Sequence, residues 1–190
     1  MKYNFTAEDI QKAEEFSNKI DVNYYSGRNQ FDVQKKRLDQ KVGKLGELAV
    51  YGVLKDKLTN ITEPDFNIYE AKDKSWDFDI KADNVNLHVK SQLITQANLF
   101  GESWIFQYGN GKTRHYDKEI FDRTSPNQYI GFAVINLASK SAEVKAVISL
   151  DFLHEKKLFK MPVKESLKQA NKLAVYYADL EKHPDNLWQL

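Results

Sequence analysis

The chain has 190 residues, of which 42% are hydrophobic and 29% are charged, and its 28 Lys and Arg balance 27 Asp and Glu. A folded chain of this length buries about 70% of its extended surface, which is enough for one sizeable core. With 8 Gly and 4 Pro, the composition excludes collagen-like and low-complexity sequences. The lack of Cys excludes disulfide scaffolds, thiolate zinc sites and cysteine nucleophiles.

Apolar runs and charge distribution bear on location and partners. No run approaches the roughly 20 apolar residues of a membrane span, and the first residues lack the apolar segment of a signal peptide. We therefore expect a cytoplasmic protein with no membrane partner. An acidic cluster at 61–80 lies between basic segments at 35–44 and 154–172. That order suits metal ions beside a polyanion, although alternating solvated faces give the same pattern.

Two helices are predicted in the first third of the chain. Thr6-Ala-Glu-Asp9 is a capping box, which predicts a helix that ends near residue 19. A second helical pattern runs from about Phe31 to Leu58, and its second half is apolar enough to be buried. Its apolar stripe consists of Leu38, Val42, Leu45 and Ala49.

Several segments within residues 66–150 have the period-two alternation of strands, and an irregular stretch is expected between the hairpin and residue 103. Phe66, Ile68 and Glu70 predict a short strand, and a hairpin follows around the turn Asp83-Asn84. Later segments predict strands at 103–108, 129–136 and 142–150, then a helix capped by Asp151, and a helical tail from Pro162.

This order of elements predicts a single α/β (α+β) domain with a mixed sheet. We expect an N-terminal helical appendage at 1–30, a core at 31–150 and a C-terminal helical tail at 151–190.

One face of the predicted hairpin is strongly polar. Pairing around the turn places six side chains on that face, namely Asp77, Asp79, Lys81, Asn86, His88 and Lys90. Carboxylates and an imidazole can bind a divalent metal, and a nearby ammonium can stabilise a phosphoryl oxygen or orient a water. A solvent-facing hairpin with cross-strand ion pairs is the alternative interpretation.

The flanking motifs add a family resemblance. Gly43-Lys-Leu-Gly-Glu47-Leu-Ala49 precedes Trp76-Asp77-Phe78, and His88-Val89-Lys90-Ser91-Gln92 follows on the next strand. This layout over residues 41–107 resembles the PD-(D/E)XK nuclease superfamily, in which a helical Glu precedes an Asp on the second strand and an acidic-x-Lys tripeptide on the third. The resemblance implies a restriction-endonuclease-like mixed sheet flanked by helices, and a DNA nuclease that uses Mg²⁺ or Mn²⁺.

The resemblance also implies roles for the matched residues. Asp77 would be the central metal ligand, Glu47 would reach the metal directly or through water, and Lys90 would contact the scissile phosphate or the attacking water. His88 stands where the superfamily has Glu or Asp, so it is a ligand, a base or a sign of lost activity. Asp79, across the hairpin, could supply the missing carboxylate to the metal.

His88 has a consequence for metal preference and pH. Imidazole suits Mn²⁺ better than Mg²⁺. We therefore expect activity to prefer Mn²⁺ and to fall below about pH 6, where the ring is protonated.

A second alignment uses Pro64-Asp65 with Asp79-Ile80-Lys81. It restores an acidic-x-Lys tripeptide, but it leads the Lys strand straight into another hairpin strand, whereas the superfamily follows that strand with a helix or crossover. We prefer the alignment through His88 and Lys90 for that reason.

Several basic and amide side chains are candidates for DNA contact. Arg37, Lys41 and Lys44 recur on one helix face and could follow phosphates, although a solvated face is an equal interpretation. The remaining candidates are Gln92 beside the tripeptide and Lys112 and Arg114 in a Gly-containing loop.

The leading hypothesis is a metal-dependent DNA endonuclease of restriction, repair or phage type, acting as a homodimer if it cuts both strands. The alternatives are a catalytically inactive DNA-binding protein with this fold, and a protein that does not bind nucleic acid.

Overall fold

The computed structural model describes residues 1–20, 32–68, 78–108, 117–122 and 125–190. Strand β1 (Lys2–Asn4) leads into helix α1 (Ala7–Lys19). The predicted capping box is confirmed, because Asp9 N donates to Thr6 Oγ1 at 3.1 Å and Thr6 N donates to Asp9 Oδ2 at 2.9 Å.

Helix α2 (Val33–Leu54) begins after Asp32, whose side chain accepts a hydrogen bond from Lys35 N at 3.0 Å. Its apolar second half is largely buried, as predicted. Leu38, the first residue of the predicted stripe, is instead 37% exposed, because the core that α2 contacts begins at Val42.

The predicted hairpin is present, with its turn at Asp83-Asn84. It joins β2 (Ile80–Ala82) to β3 (Val85–Leu93), and the predicted pairing of Lys81 with Asn86 is confirmed. The next elements are α3 (Ile94–Phe100), β4 (Ser103–Gln107) and the short helix α4 (Lys118–Asp122).

Two long strands, β5 (Gln128–Asn136) and β6 (Ser141–Ser149), complete the centre of the fold. They are followed by α5 (Leu150–Glu155), α6 (Glu165–Gln169), β7 (Lys172–Tyr176), α7 (Tyr177–Leu180) and a 3₁₀ turn at Pro184–Asn186.

Within the described residues, five strands form a mixed sheet in the order β1-β6-β5-β3-β2, and β4 pairs with β7 in a second sheet. β3 and β5 are parallel, and the other neighbouring pairs of the main sheet are antiparallel. The predicted α/β (α+β) class with a mixed sheet is confirmed.

The main sheet has a hydrophobic cluster on each face. One cluster joins α1 and α2 to residues of β3, β5 and β6, including Leu45, Leu87 and Ile135. The other joins β5 and β6 to the smaller sheet, and it contains Trp104 and Phe106, which are 1% and 0% exposed. β3 therefore runs between α2 on one side and the β4–β7 layer on the other.

Four local predictions need correction. Residues 61–68 contain no strand, so the predicted strand at Phe66 and Ile68 is absent from its described part. The helix near residue 151 is capped by Ser149, whose hydroxyl accepts from Phe152 N at 3.1 Å, and not by Asp151. Residues 94–100, predicted to be irregular, form α3, and the predicted helical tail contains β7.

β1 and α1 pack on the core, since β1 pairs with β6 and Phe5 is buried. No helix in the described part of the chain is long and apolar enough to cross a membrane.

Candidate active site around β3

β3 presents different side chains to its two neighbours. Leu87 and Val89 belong to the hydrophobic cluster shared with α2. His88 and Lys90 alternate with them, and their side chains meet residues at the start of β5, just before α4 and in β4. The period-two prediction of one apolar and one polar face is therefore confirmed for β3, but the polar face is partly covered by the second sheet.

Lys90 lies on this polar face with 27% of its side chain exposed. Its ammonium is 3.4 Å from Asp117 Oδ2 and 5.0 Å from the centre of the Phe106 ring. Asp117 Oδ2 also accepts a hydrogen bond from Gln107 N at 3.0 Å. The carboxylate and the ring hold a partly exposed cation at the bottom of the polar face.

His88 is 9% exposed, and its ring packs against Phe78 with the ring centres 4.9 Å apart. His88 Nε2 is 3.3 Å from Gln128 Oε1, and Gln128 Nε2 donates to Ser125 O at 2.9 Å. Because the amide nitrogen of Gln128 is used in this way, its oxygen accepts from His88 Nε2, which leaves the lone pair on Nδ1. Burial lowers the pKa of His88 below its usual 6.5, against the opposing charge of Asp79, so the ring is neutral at pH 7.

Asp79 lies just before β2, at the position that the hairpin register pairs with His88. Its Oδ2 accepts a hydrogen bond from Val89 N at 2.7 Å, which fixes the carboxylate against β3. The charge of Asp79 raises the pKa of both His88 and Glu47. Asp79 is therefore the group common to the polar face of β3 and to the buried carboxyl of α2.

Glu47 is buried in α2, with 11% of its side chain exposed. The pKa of Glu47 is raised to about 8, mainly by burial and also by the charges of Asp79 and Asp65, although Lys44 acts to lower it. Lys44 Nζ is 2.7 Å from Glu47 Oε2 and lies 4.9 Å from the centre of the Phe16 ring. Desolvation outweighs this pairing, so Glu47 is held as a mostly neutral acid at pH 7.

Other predicted site residues have structural partners. Lys41 pairs with Glu14 at 2.9 Å, and Lys44 pairs with Glu47 at 2.7 Å, so both ammonium groups are engaged in ion pairs within the protein. Gln92 donates to Gly101 O at 3.1 Å and accepts from Ser103 N at 2.9 Å, so it connects β3 to the turn between α3 and β4. Asp77, Lys112 and Arg114 lie outside the described residues.

A groove of about 490 Å³ runs along the C-terminal half of β3. β2 pairs with β3 only as far as Leu87 in the described part of the chain, so the groove follows a section of β3 beyond that pairing. The N-terminal half of α2 forms one wall, and α6 with the β4–β7 sheet forms the other. Lys90 and Gln92 both line it, which connects the groove to the polar face.

Neither Asp117 nor the groove was predicted from the sequence. Asp117 lies 27 positions after Lys90 in the chain, and its local role is to start a helical turn, in which Ile120 N and Phe121 N donate to its carbonyl oxygen. Lys164 and Lys172, which belong to the basic segment at 154–172, also line the groove. No local pattern could have brought these residues to β3.

In comparisons with known proteins, the chain matches no family model, no curated protein and no solved structure. Among the described residues, no group of three or more His, Asp or Glu side chains is placed to hold a metal ion. Asp77, the predicted central ligand, is not among the residues covered by that search.

Proposed function

We propose that the protein is a divalent-metal-dependent DNA endonuclease that hydrolyses phosphodiester bonds. The observation that carries this proposal is the position of Asp79. It is fixed to the backbone of β3, lies opposite His88 and acts electrostatically on the buried Glu47. The charge of Asp79 thus acts on an imidazole of β3 and on a buried carboxyl group of α2.

The carboxyl groups suit a cation. Glu47 is desolvated beside Asp79 and Asp65, and this environment raises the pKa of Glu47 to about 8. A divalent ion removes the repulsion between such carboxylates and binds them through oxygen, the donor that Mg²⁺ and Mn²⁺ prefer. Glu47, Asp79 and Asp77 would hold the ion, with His88 Nδ1 as a further donor, and the bound ion would lower the pKa of a water and stabilise charge on the phosphate.

Lys90 and His88 would have separate roles in the reaction. Lys90 would contact the scissile phosphate or the attacking water with a cation that Asp117 and Phe106 hold in place. His88 would act as a neutral imidazole, and because burial lowers its pKa, the acid limb of activity should lie below the pH 6 that the sequence alone predicts.

The connection after β3 favours the alignment through Lys90. β3 leads directly into α3 and then pairs in parallel with β5, which is a crossover of the kind that the superfamily resemblance implies after the Lys strand. The second alignment has one point in its favour, because the charge of Asp65 acts on Glu47. Its lysine, Lys81, is exposed on the edge strand β2.

The test is cleavage of supercoiled plasmid and single-stranded DNA in Mg²⁺ or Mn²⁺. We expect Lys90→Ala to lower the rate by about 100-fold or more, the size of effect seen when a charge-stabilising donor is removed. Lys81→Ala is the matched control and should keep the wild-type rate.

A rate that depends on Lys81 and not on Lys90 would select the second alignment. The lack of metal-dependent cleavage by the wild type would refute the endonuclease.

A catalytically inactive DNA-binding protein is the second candidate. It is favoured by the enclosure of His88, which is 9% exposed and packed between Phe78 and Gln128. This candidate predicts salt-sensitive DNA binding without cleavage in either metal.

A further inference from the structure

The groove beside β3 is lined by more positive than negative side chains. The lining includes four lysines and, among the described lining residues, one carboxylate, Asp39, which pairs with one of those lysines at 2.9 Å. The lysines are Lys35, Lys90, Lys164 and Lys172. This charge complements a polyanion such as a nucleic-acid backbone.

Phe100 supplies an aromatic surface in the same groove. It is the last residue of α3 and is 49% exposed, whereas Trp104 and Phe106 close by are in the core. Lys164 Nζ lies 5.5 Å from the centre of the Phe100 ring. The ring therefore stands next to a cation at the groove surface, and no part of the core depends on its burial.

The turn that carries Phe100 is held in place. Gly101, which follows it, has φ of 78°, a backbone conformation that favours glycine. Gln92 from β3 is hydrogen-bonded to Gly101 O at 3.1 Å and to Ser103 N at 2.9 Å. Phe100 is thus positioned relative to β3, the strand that carries Lys90.

We infer that this groove binds an unpaired stretch of DNA, with a base stacked on Phe100 and phosphates contacted by Lys164 and neighbouring lysines. The inference rests on the proposed nuclease function and adds its substrate class. An exposed ring and surrounding cations form the usual platform for single strands. A base within a duplex has both ring faces covered by its neighbours, so Phe100 can stack only on a base that is unpaired or flipped out.

A bound peptide is the competing occupant, because Leu99 beside the groove and Val163 in its lining are 71% and 76% exposed. The lysine-rich lining favours the polyanion, since an apolar peptide would desolvate these cations without supplying any opposite charge.

The experiment measures fluorescence anisotropy of labelled DNA in EDTA, so that binding is observed without cleavage. The probes are an oligodeoxythymidine of about 12 nucleotides, within the usual range of single-strand site sizes, and a duplex of equal length. We expect the single strand to bind more tightly than the duplex. Phe100→Ala should weaken single-strand binding about tenfold, and Phe100→Tyr should retain it.

Two matched controls separate the groove from its surroundings. Leu99→Ala, on the same helix but outside the groove lining, should bind as the wild type does. Lys164→Ala should reduce the slope of log affinity against log salt by about 0.7. Lys168→Ala removes a lysine that pairs with Glu165 away from the lining, and it should leave that slope unchanged.

Equal affinity of Phe100→Ala and wild type, duplex binding as tight as single-strand binding, or capture of apolar peptides instead of DNA would each overturn the inference. Lys90-dependent cleavage could still be present in those cases and would support the nuclease alone. Conversely, Phe100-dependent single-strand binding without cleavage in either metal would support the groove and refute the nuclease.

Discussion

The two faces of β3 make different kinds of contact with the neighbouring elements. Toward α2 the strand is packed so closely that a Cβ on Gly46 would lie 2.9 Å from Ser91 Cβ. Toward β4 it carries Lys90 and His88, each held by one or two specific polar or aromatic contacts. On the α2 side, close packing fixes the strand itself. On the β4 side, specific contacts fix individual side chains, and Lys90 lines the groove. The comparison suggests that mutations on the first face act on stability and those on the second act on function.

The largest expected effect on stability is at Glu47, a residue of α2 whose pKa is influenced by Asp79. Burial raises its pKa from 4.5 to about 8, so between these pH values the folded chain keeps a proton that the unfolded chain has lost. The free energy of unfolding should therefore fall as pH rises through this window, by up to about 1.4 kcal/mol per pH unit. Glu47→Gln removes this titration, so the variant should resemble the wild type near pH 5 and be more stable at pH 8.

Urea denaturation at a series of pH values measures this difference. Glu14→Gln is the control, because Glu14 is an exposed partner of a lysine, Lys41. Its profile should run parallel to that of the wild type. A Glu47→Gln profile that is also parallel would mean that Glu47 is not a neutral acid in the folded chain.

Gly46 lies where α2 packs against β3. Gly46→Ala places a methyl group 1.7 Å from Ser91 Oγ and 2.9 Å from Ser91 Cβ, so α2 or β3 must shift. We expect a loss of about 1–3 kcal/mol in the free energy of unfolding, as for other overpacked sites. Gly43 in the same helix has no atom within 4 Å of the added Cβ, and Gly43→Ala should stabilise by about 0.5–1 kcal/mol.

Equilibrium unfolding in urea compares the two glycine variants directly. Equal effects at both positions would contradict the close contact between α2 and β3.

The smallest expected effect on stability is at Gln92, which connects β3 to the turn between α3 and β4. Gln92→Ala removes the hydrogen bonds to Gly101 O and Ser103 N. A loss of about 1–2 kcal/mol in the free energy of unfolding is expected. Equilibrium unfolding in urea measures this loss. A Gln92→Ala variant as stable as the wild type would show that the turn does not depend on Gln92.

The sequence predicts local structure best where a residue type has one strong preference. The turn at Asp83-Asn84 set the hairpin register, and Thr6 with Asp9 set the start of α1. Short elements such as β1 and α3 have too few residues for a periodic pattern, and neither was predicted.

Tertiary placement was less predictable than local structure. Alternation along β3 separated His88 and Lys90 from their apolar neighbours, but it could not show that a second sheet covers them. That cover comes from β4 and β7, which pair with each other although residues 108–171, including strands β5 and β6, lie between them in the chain. The contact of Lys90 with Asp117 depends on the same long-range packing.

The parallel pairing of β3 with β5 has a consequence for how the protein folds. His88 and Gln128 meet across 40 positions, and β1 reaches β6 through the pairing of Lys2 with Glu143. Each of these contacts requires a long loop to close, which costs conformational entropy before the contact stabilises the fold. The contact order is therefore high, and the folding rate should be low. During synthesis, the hairpin that carries Asp79 and Lys90 cannot pair with β5 until β5 has left the ribosome. The candidate active site is therefore expected to be among the last parts of the molecule to become ordered.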